Sequence, residues 1–493
     1  MKHAKRLLSV VLALAMLLAM AACAAEPEPQ EEQEPAGTPV VETPEEDAAE
    51  EGAQAPKDET VDAVIVGGGG AGMTTAIRLV EGGKNVVLVE KQGILGGATN
   101  LAATYFVAVN TPVQQEAGMG MAIEDYVASQ VEANPLTSAE NLTTLLERSE
   151  DSRQWLLGLG VDLTRPMSYY QVGISDGSSL GVAIVTALTA EVDRVGVDYR
   201  VNTRATEIVM EGGKAAGVKV EGPDGAYTIY ANDVVLAAGG FAASPEMVAK
   251  YAPEWEGAAS TTAAGNTGDA FVMAEAVGAS LKDMDNVRMN PGVYVDERGG
   301  AYSLSVARAE GGIMVNMNGE RFCNDYASDY TVMSRQIMEQ EGDHVYIVFD
   351  QASVDRSERL ASFGERGYFL QADTLEELAE LMGVPAENLT ATVERYRGFV
   401  DTGVDEDFGR TTAMTSRIDQ APYYAVPCIP GIQVTLGGIE VNGNMQVLDT
   451  QGAVIDGLYA VGECANDGLY GGAPTNINVT FGTLLAEYIL ENR

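Results

Sequence analysis

Val61-Asp-Ala-Val-Ile-Val-Gly-Gly-Gly-Gly-Ala-Gly72 is the stretch on which the fold turns. The run to Val66 reads as a short buried strand, the glycines as a turn, and Met73 to Val80 as a helix. Gly67 permits a tight turn, Gly69 lets the backbone approach a pyrophosphate, and Gly72 lets helix and strand pack closely. The pyrophosphate then belongs at the helix N-terminus. A second apolar run, Asn85 to Val89, ends in Glu90, placed to accept hydrogen bonds from a ribose. A carboxylate there repels a 2′-phosphate, which favours FAD or NAD over NADP. Strand, turn, helix, strand and acid together predict an α/β nucleotide-binding domain.

Two further apolar runs end in glycines, Asp233-Val-Val-Leu-Ala-Ala-Gly-Gly-Phe241 and Gly457-Leu-Tyr-Ala-Val-Gly-Glu463, the second bringing the C-terminus back to the nucleotide domain. With Gly96-Gly97, Thr267-Gly268-Asp269, Gly319-Glu-Arg-Phe-Cys-Asn324 and Leu436-Gly-Gly-Ile439, they resemble the FAD domain of the fumarate reductase and flavocytochrome c flavoprotein family, from Asp62 onward. The resemblance implies a Rossmann-like FAD-binding domain, residues 61–285 and 425–493, interrupted by a smaller α+β capping domain, residues 286–424, with substrate held between them. It places Gly67, Gly69, Ala71, Gly72, Glu90, Gly97, Thr99, Asp269, Glu463 and Thr475 near FAD. Two positions depart from the pattern: Ala103-Thr104 replaces a second Gly-Gly, and Ala270 follows Gly268-Asp269 where relatives have glycine. No histidine stands near Thr99, where covalent relatives attach the flavin, so noncovalent FAD is expected. In the cap, Thr374-Leu-Glu-Glu377 reads as a capping box, Gly383 as a helix stop and Pro385 as the first turn of the next helix. Leu142, Leu145, Leu146, Leu156 and Leu159 read as core packing.

Fumarate-reducing relatives hold and protonate a dicarboxylate with arginines and histidines. Matched by motif, those positions carry Asp329, Asn290, Val434 and Leu469, so the groups that two carboxylates need are missing. Arg288, Asn290, Tyr302, Arg308, Tyr330 and Tyr470 remain near the inferred pocket, and relatives that act on ketosteroids use tyrosines. A phenol is protonated at neutral pH and can serve as an acid. Tyr330, Asp329, Tyr470 and Arg288 are therefore the candidate catalytic residues, with Tyr330 the expected proton donor and Arg288 the carboxylate binder. The expected reaction is reduction of an activated C=C bond, an enoate or enone, with hydride delivered to the β-carbon and a proton to the α-carbon. The alternatives are a dehydrogenase of the ketosteroid type running in reverse, and a noncatalytic flavin electron carrier.

Lys2, Lys5 and Arg6 precede an apolar run from Leu7 to Ala22 that meets Cys23. This reads as a signal peptide, residues 1–22, too short for the roughly 20 apolar residues of a spanning helix. The small residues before Cys23 resemble a bacterial lipobox, with Met20 in place of its usual leucine, so a lipid on Cys23 is expected. Residues 23–60 are rich in Glu and Pro with Lys57 the only base, an extended disordered tether. The expected location is extracytoplasmic, attached to the membrane through the lipid alone. NAD(P)H is not supplied there, so electrons are expected from an external donor: a cytochrome, a quinol-linked protein or a flavinylated protein. A net charge of −42 argues against nucleic-acid partners. Cys323, Cys428 and Cys464 show neither disulfide nor metal spacing, and no Cys-x-x-Cys-His motif is present to attach haem. With His344 the only histidine beyond the signal, a Ser-His-Asp triad is nearly excluded, and a multi-histidine metal site and a two-histidine acid-base pair have too few imidazoles.

Overall fold

Side chains along Glu59–Val66 (β1) alternate between two cores: Val64 and Val66 pack into one, Ala63 and Ile65 into the other. Val86–Val89 (β2) does the same, with Val87 and Val89 opposite Val86 and Leu88. A strand buried on both faces needs apolar residues at every position, which is why these runs show no polar alternation. Between them runs Gly70–Glu81 (α1), whose helix begins inside the glycine turn rather than at Met73.

The computed structural model describes residues 57–102, 105–327, 329–342, 344–469 and 474–493. The expected signal peptide, Cys23 and almost all of the tether lie outside these residues, as do Ala103, Thr104 and Tyr470. The tether, expected to reach residue 60, gives way to the fold earlier. Asp58 accepts the Thr228 N–H at 2.8 Å, and Glu59, already in β1, pairs with Arg200. Among the described residues, no helix is long and apolar enough to cross a membrane.

The first sheet adds Asp198–Arg200 (β3), Gly225–Leu236 (β4), Gln446–Leu448 (β8) and Val454–Ala460 (β9), in the order β8-β9-β4-β1-β2-β3. All neighbours from β9 to β3 are parallel, and β8 lies antiparallel at the edge. Parallel pairing brings the C-terminal strand ends to one side of the sheet, where ligands of open α/β folds bind. There the glycine turn follows β1, Glu90 follows β2, Gly239-Gly240 follows β4 and Gly462-Glu463 follows β9. The C-terminal helix Pro474–Asn492 (α3) packs along α1, with Leu485 and Ile489 in the same core as Ile77.

The second sheet contains Val287–Val295 (β5), Val345–Asp350 (β6) and Tyr423–Thr435 (β7), with shorter strands at its margins. β7 is long enough to pair with β6 through Cys428 and with β5 from Ile429 onward, antiparallel in both cases. β5 and β7, the first and last long strands of this sheet, are hydrogen-bonded to each other. The sheet is covered on one side by Leu375–Met382 and Ala386–Thr402, and on the other by Tyr330–Met338 (α2) and Glu358–Glu365. Thr374 caps the first of these helices, accepting the Glu377 N–H at 3.1 Å, and Gly383 ends it with φ 71°. Pro385 stands at the N-cap of the next helix, one place earlier than the expected first turn. Both sheets belong to one compact unit.

Candidate active site

The glycine turn is shaped from both sides. A Cβ on Gly72 would lie 2.0 Å from the Gly67 carbonyl oxygen, so only glycine lets α1 approach β1 this closely. At Gly69, the N-cap of α1, the position of a Cβ has no atom within 4 Å. The turn is therefore closed towards the sheet and open at the helix N-terminus. The first-turn N–H groups of Ala71 and Gly72 have no intrahelical acceptor, and the opening suits a pyrophosphate. The wall facing it is held by Thr99, whose hydroxyl accepts the Gly70 N–H and the Asn478 side chain, both at 3.1 Å. Gly97 lies beside Gly69, and Gly462 beside Ala71.

Glu90 accepts the Gly68 N–H at 2.8 Å and the Gln92 N–H at 2.7 Å, which ties the end of β2 to the turn after β1. Each carboxylate oxygen keeps a lone pair for a ribose hydroxyl. Asp269 lies on the same side through Lys91, at 3.1 Å, and Arg204, at 3.1 Å. Burial opposes its ionisation, but Lys91, Arg204 and Thr267 outweigh it and hold the carboxyl below its ordinary range.

At the end of β9, Glu463 accepts the Thr435 N–H at 3.1 Å and the Asn266 amide at 2.9 Å. Burial nevertheless pushes its carboxyl up to about 7, and Asp467 behind it is also pushed up to about 7 by burial. Between its ordinary 4.5 and about 7, Glu463 is protonated in the fold and ionised in the unfolded chain, so stability falls as pH rises through that window. Glu463→Gln, neutral at every pH, should show a flatter fall of Tm from about pH 5 to about pH 8 than the parent protein. Superimposable pH profiles would remove Glu463 from this role.

Asn266, Thr435, Asn478 and Lys91 belong to this cradle and escaped the sequence reading. Asn266 directly precedes Thr267-Gly268-Asp269, and Thr435 directly precedes Leu436-Gly-Gly-Ile439, so the signal was one residue outside each quoted motif. Thr475 is buried in the first turn of α3, where its neighbour Asn476 donates to the Val107 carbonyl at 2.7 Å.

Tyr330, the first residue of α2, is partly buried, with the guanidinium carbons of Arg288 and Arg308 at 5.9 Å and 5.1 Å from its ring centre. Arg288 projects from β5, directly across the ladder from Val434. Asp329 is exposed and caps α2, accepting the Val332 N–H at 2.9 Å. Asn290 is buried and bonded to Ser303, Ser305 and the Gly292 N–H. Tyr302 is held elsewhere, bonded to Asp296 and 5.1 Å from the Tyr368 ring; the Tyr368 hydrogen bond and the Asp296 charge push it up to about 12. Leu469 lies in the apolar core under α1. The structure thus brings Arg288, Arg308 and Tyr330 together, while Asn290 is engaged by serines, Asp329 caps a helix and Leu469 lies in a core. His344 precedes β6, edge-on to Tyr346, and among the described residues the three cysteines, Cys323, Cys428 and Cys464, are buried and free.

Comparison with known proteins agrees with this geometry. The family model described as an FAD binding domain matches residues 62–476. A fumarate reductase (cytochrome) of Shewanella frigidimarina is 32% identical over 455 residues, covering 88% of this chain and 78% of the relative. A urocanate reductase of Eggerthella lenta is 34% identical over 436 residues, covering 84% and 71%. The solved open conformation of a flavocytochrome c3 fumarate reductase superposes with a TM-score of 0.77 at 31% identity, covering 88% of this chain and 78% of that one. The chain binds FAD and belongs to the FAD-dependent fumarate reductase family, oxidoreductases that act on C=C and CH–CH groups.

Proposed function

We propose that this protein reduces the activated C=C bond of an enoate or enone, using electrons from an external carrier. The observation that carries the reading is the convergence of Arg288, Arg308 and Tyr330, with no second cation at Asn290, Val434 or Leu469. The relatives named as fumarate and urocanate reductases support the reductive direction. Bound FAD supplies the hydride. The chain's own residues do the rest: Arg288 holds and polarises one carboxylate or carbonyl, and Tyr330 gives its phenolic proton to the α-carbon. The phenolate left behind lies beside two guanidinium groups and recovers a proton from solvent. Asp329 is occupied as a helix cap, which favours Tyr330 as donor. Tyr470, adjoining the buried Leu469, is assigned to orienting the substrate. The cap between β5 and β7 excludes water from the reacting carbons.

Oxidation of reduced methyl viologen by a panel of monocarboxylate enoates, enones and fumarate tests this reading. Each missing charge-assisted contact costs about 1.5–3 kcal/mol, on the order of 10- to 100-fold, so fumarate should be slower than the best substrate by at least that factor. Fumarate matching the best substrate would contradict it.

The proposed location is extracytoplasmic, with a lipid on Cys23 and residues 23–57 as the tether. A cytochrome, quinol-linked or flavinylated protein is the proposed donor. Intact-mass analysis of the chain from a bacterial host should show loss of residues 1–22 and membrane partition. A soluble chain retaining Met1 would contradict export.

A further inference from the structure

Two kinds of polar link join residues 286–424, the expected cap, to the rest of the chain. One is backbone: β5 pairs with β7 from Val287, opposite Thr435, to Val293, opposite Ile429. The other is one side chain. Among the described residues, Arg335 of α2 makes the only ion pair and the only side-chain hydrogen bonds between residues 286–424 and the remainder. Its Nε donates to Glu254 Oε1 at 2.6 Å and its Nη2 to Oε2 at 3.0 Å. Two parallel bonds fix the angle of the guanidinium as well as its distance. The same guanidinium carbon lies 5.7 Å from the centre of the Trp255 ring, within range of a cation–ring attraction.

Both ends of this contact are anchored. Glu254 and Trp255 lie in the turn Pro253–Trp255, and Trp255 is buried in the same core as Phe241, which directly follows the cradle glycines Gly239-Gly240. On the other side, Met333 and Ile337 bury the inner face of α2 in a core of the second sheet, which leaves Arg335 on the outer face. Tyr330 starts the same helix, about 7.5 Å along its axis from Arg335. So short a helix moves as one body, and where Arg335 is held decides where the phenol stands. Arg335 and Glu254 are each half-exposed, so their pair is weak enough to open and close.

We propose that Arg335 and Glu254 form a latch that holds Tyr330 in place for proton transfer. Arg335 is a positioning residue, acting through the helix that carries Tyr330 and not on the reacting carbons. With the pair made, α2 is pinned to the segment that leaves the FAD cradle. With the pair broken, only the β5–β7 ladder sets the angle of the cap, and a donor displaced by about 1 Å loses up to ~10²-fold in rate.

The latch rests on the C=C reductase reading with Tyr330 as donor, and the test keeps the two apart. Arg335→Glu sets two carboxylates face to face and should lower kcat with the best enoate about 10-fold. Glu254→Arg should do the same, and the double charge swap should return kcat to within about 3-fold of the parent. In a Tyr330→Phe background, Arg335→Glu should cost nothing further, whereas a general loosening of the fold would still cost activity there. A coumarin amino acid in place of Glu341, exposed just beyond α2, transfers energy to the bound FAD and reports the latch without turnover. Its fluorescence lifetime should lengthen in Arg335→Glu and shorten again in the double swap. An unchanged kcat and lifetime in Arg335→Glu, or a double swap no better than either single variant, overturns the latch. A further loss in the Tyr330→Phe background overturns the positioning of Tyr330. A lifetime that follows the charge swap in a protein that reduces no alkene overturns the reductase reading instead.

Discussion

Tyr330→Phe should lower turnover with the best enoate by at least ~10²-fold, the usual scale for losing a general acid, while the protein keeps its yellow colour and its fold. The ring remains between Arg288 and Arg308, so packing and the two cation–ring contacts survive, and only the proton is lost. Asp329→Asn provides the contrast. Asn is as good an N-cap as Asp, so α2 should persist, and because Asp329 is exposed and already bonded to the Val332 N–H, turnover should stay near normal. If Asp329→Asn abolishes turnover while Tyr330→Phe retains it, the proton comes from the aspartate.

Glu90→Lys should leave a folded chain that purifies without flavin. The substitution removes the acceptors of the Gly68 and Gln92 N–H groups and the acceptor for the ribose. It also sets a second cation beside Lys91. Hydrogen bonds to a charged group contribute about 1.5–3 kcal/mol each, so loss of the two that hold the turn and of the ribose contact weakens FAD by at least ~10²-fold. Circular dichroism and the flavin absorbance of the purified protein check this. A stoichiometric flavin complex would show that Glu90 is not the ribose acceptor. FMN in place of FAD on release from the parent protein would contradict a dinucleotide cradle altogether.

Parts of the molecule legible in the chain are those written in local backbone chemistry. The glycine turn could be read because Gly72 must approach the Gly67 carbonyl and Gly69 must leave a space, which are constraints on single residues. β1 and β2 could be read because burial on both faces leaves no polar position. The Thr374 cap and the Gly383 stop announce themselves within four residues.

What escaped is tertiary. Asn266 and Glu463 are 197 residues apart, and nothing in either sequence neighbourhood announces their bond. A tyrosine cluster joins residues 105, 126 and 169–170, whose meeting depends on packing around Val107, Val127 and Leu146. Asp329, which motif counting put at the donor position, is also the N-cap of α2, a role readable from its spacing to Val332.

The most direct measurement is an anaerobic single turnover. Holoenzyme reduced to its dihydroflavin state is mixed with a monocarboxylate enoate, and the return of the oxidised flavin absorbance is followed together with the organic product. The expected result is complete return, with one saturated acid formed per FAD and a much slower return with fumarate. A flavin that stays reduced in the presence of every enoate and enone would contradict reduction of an activated C=C bond.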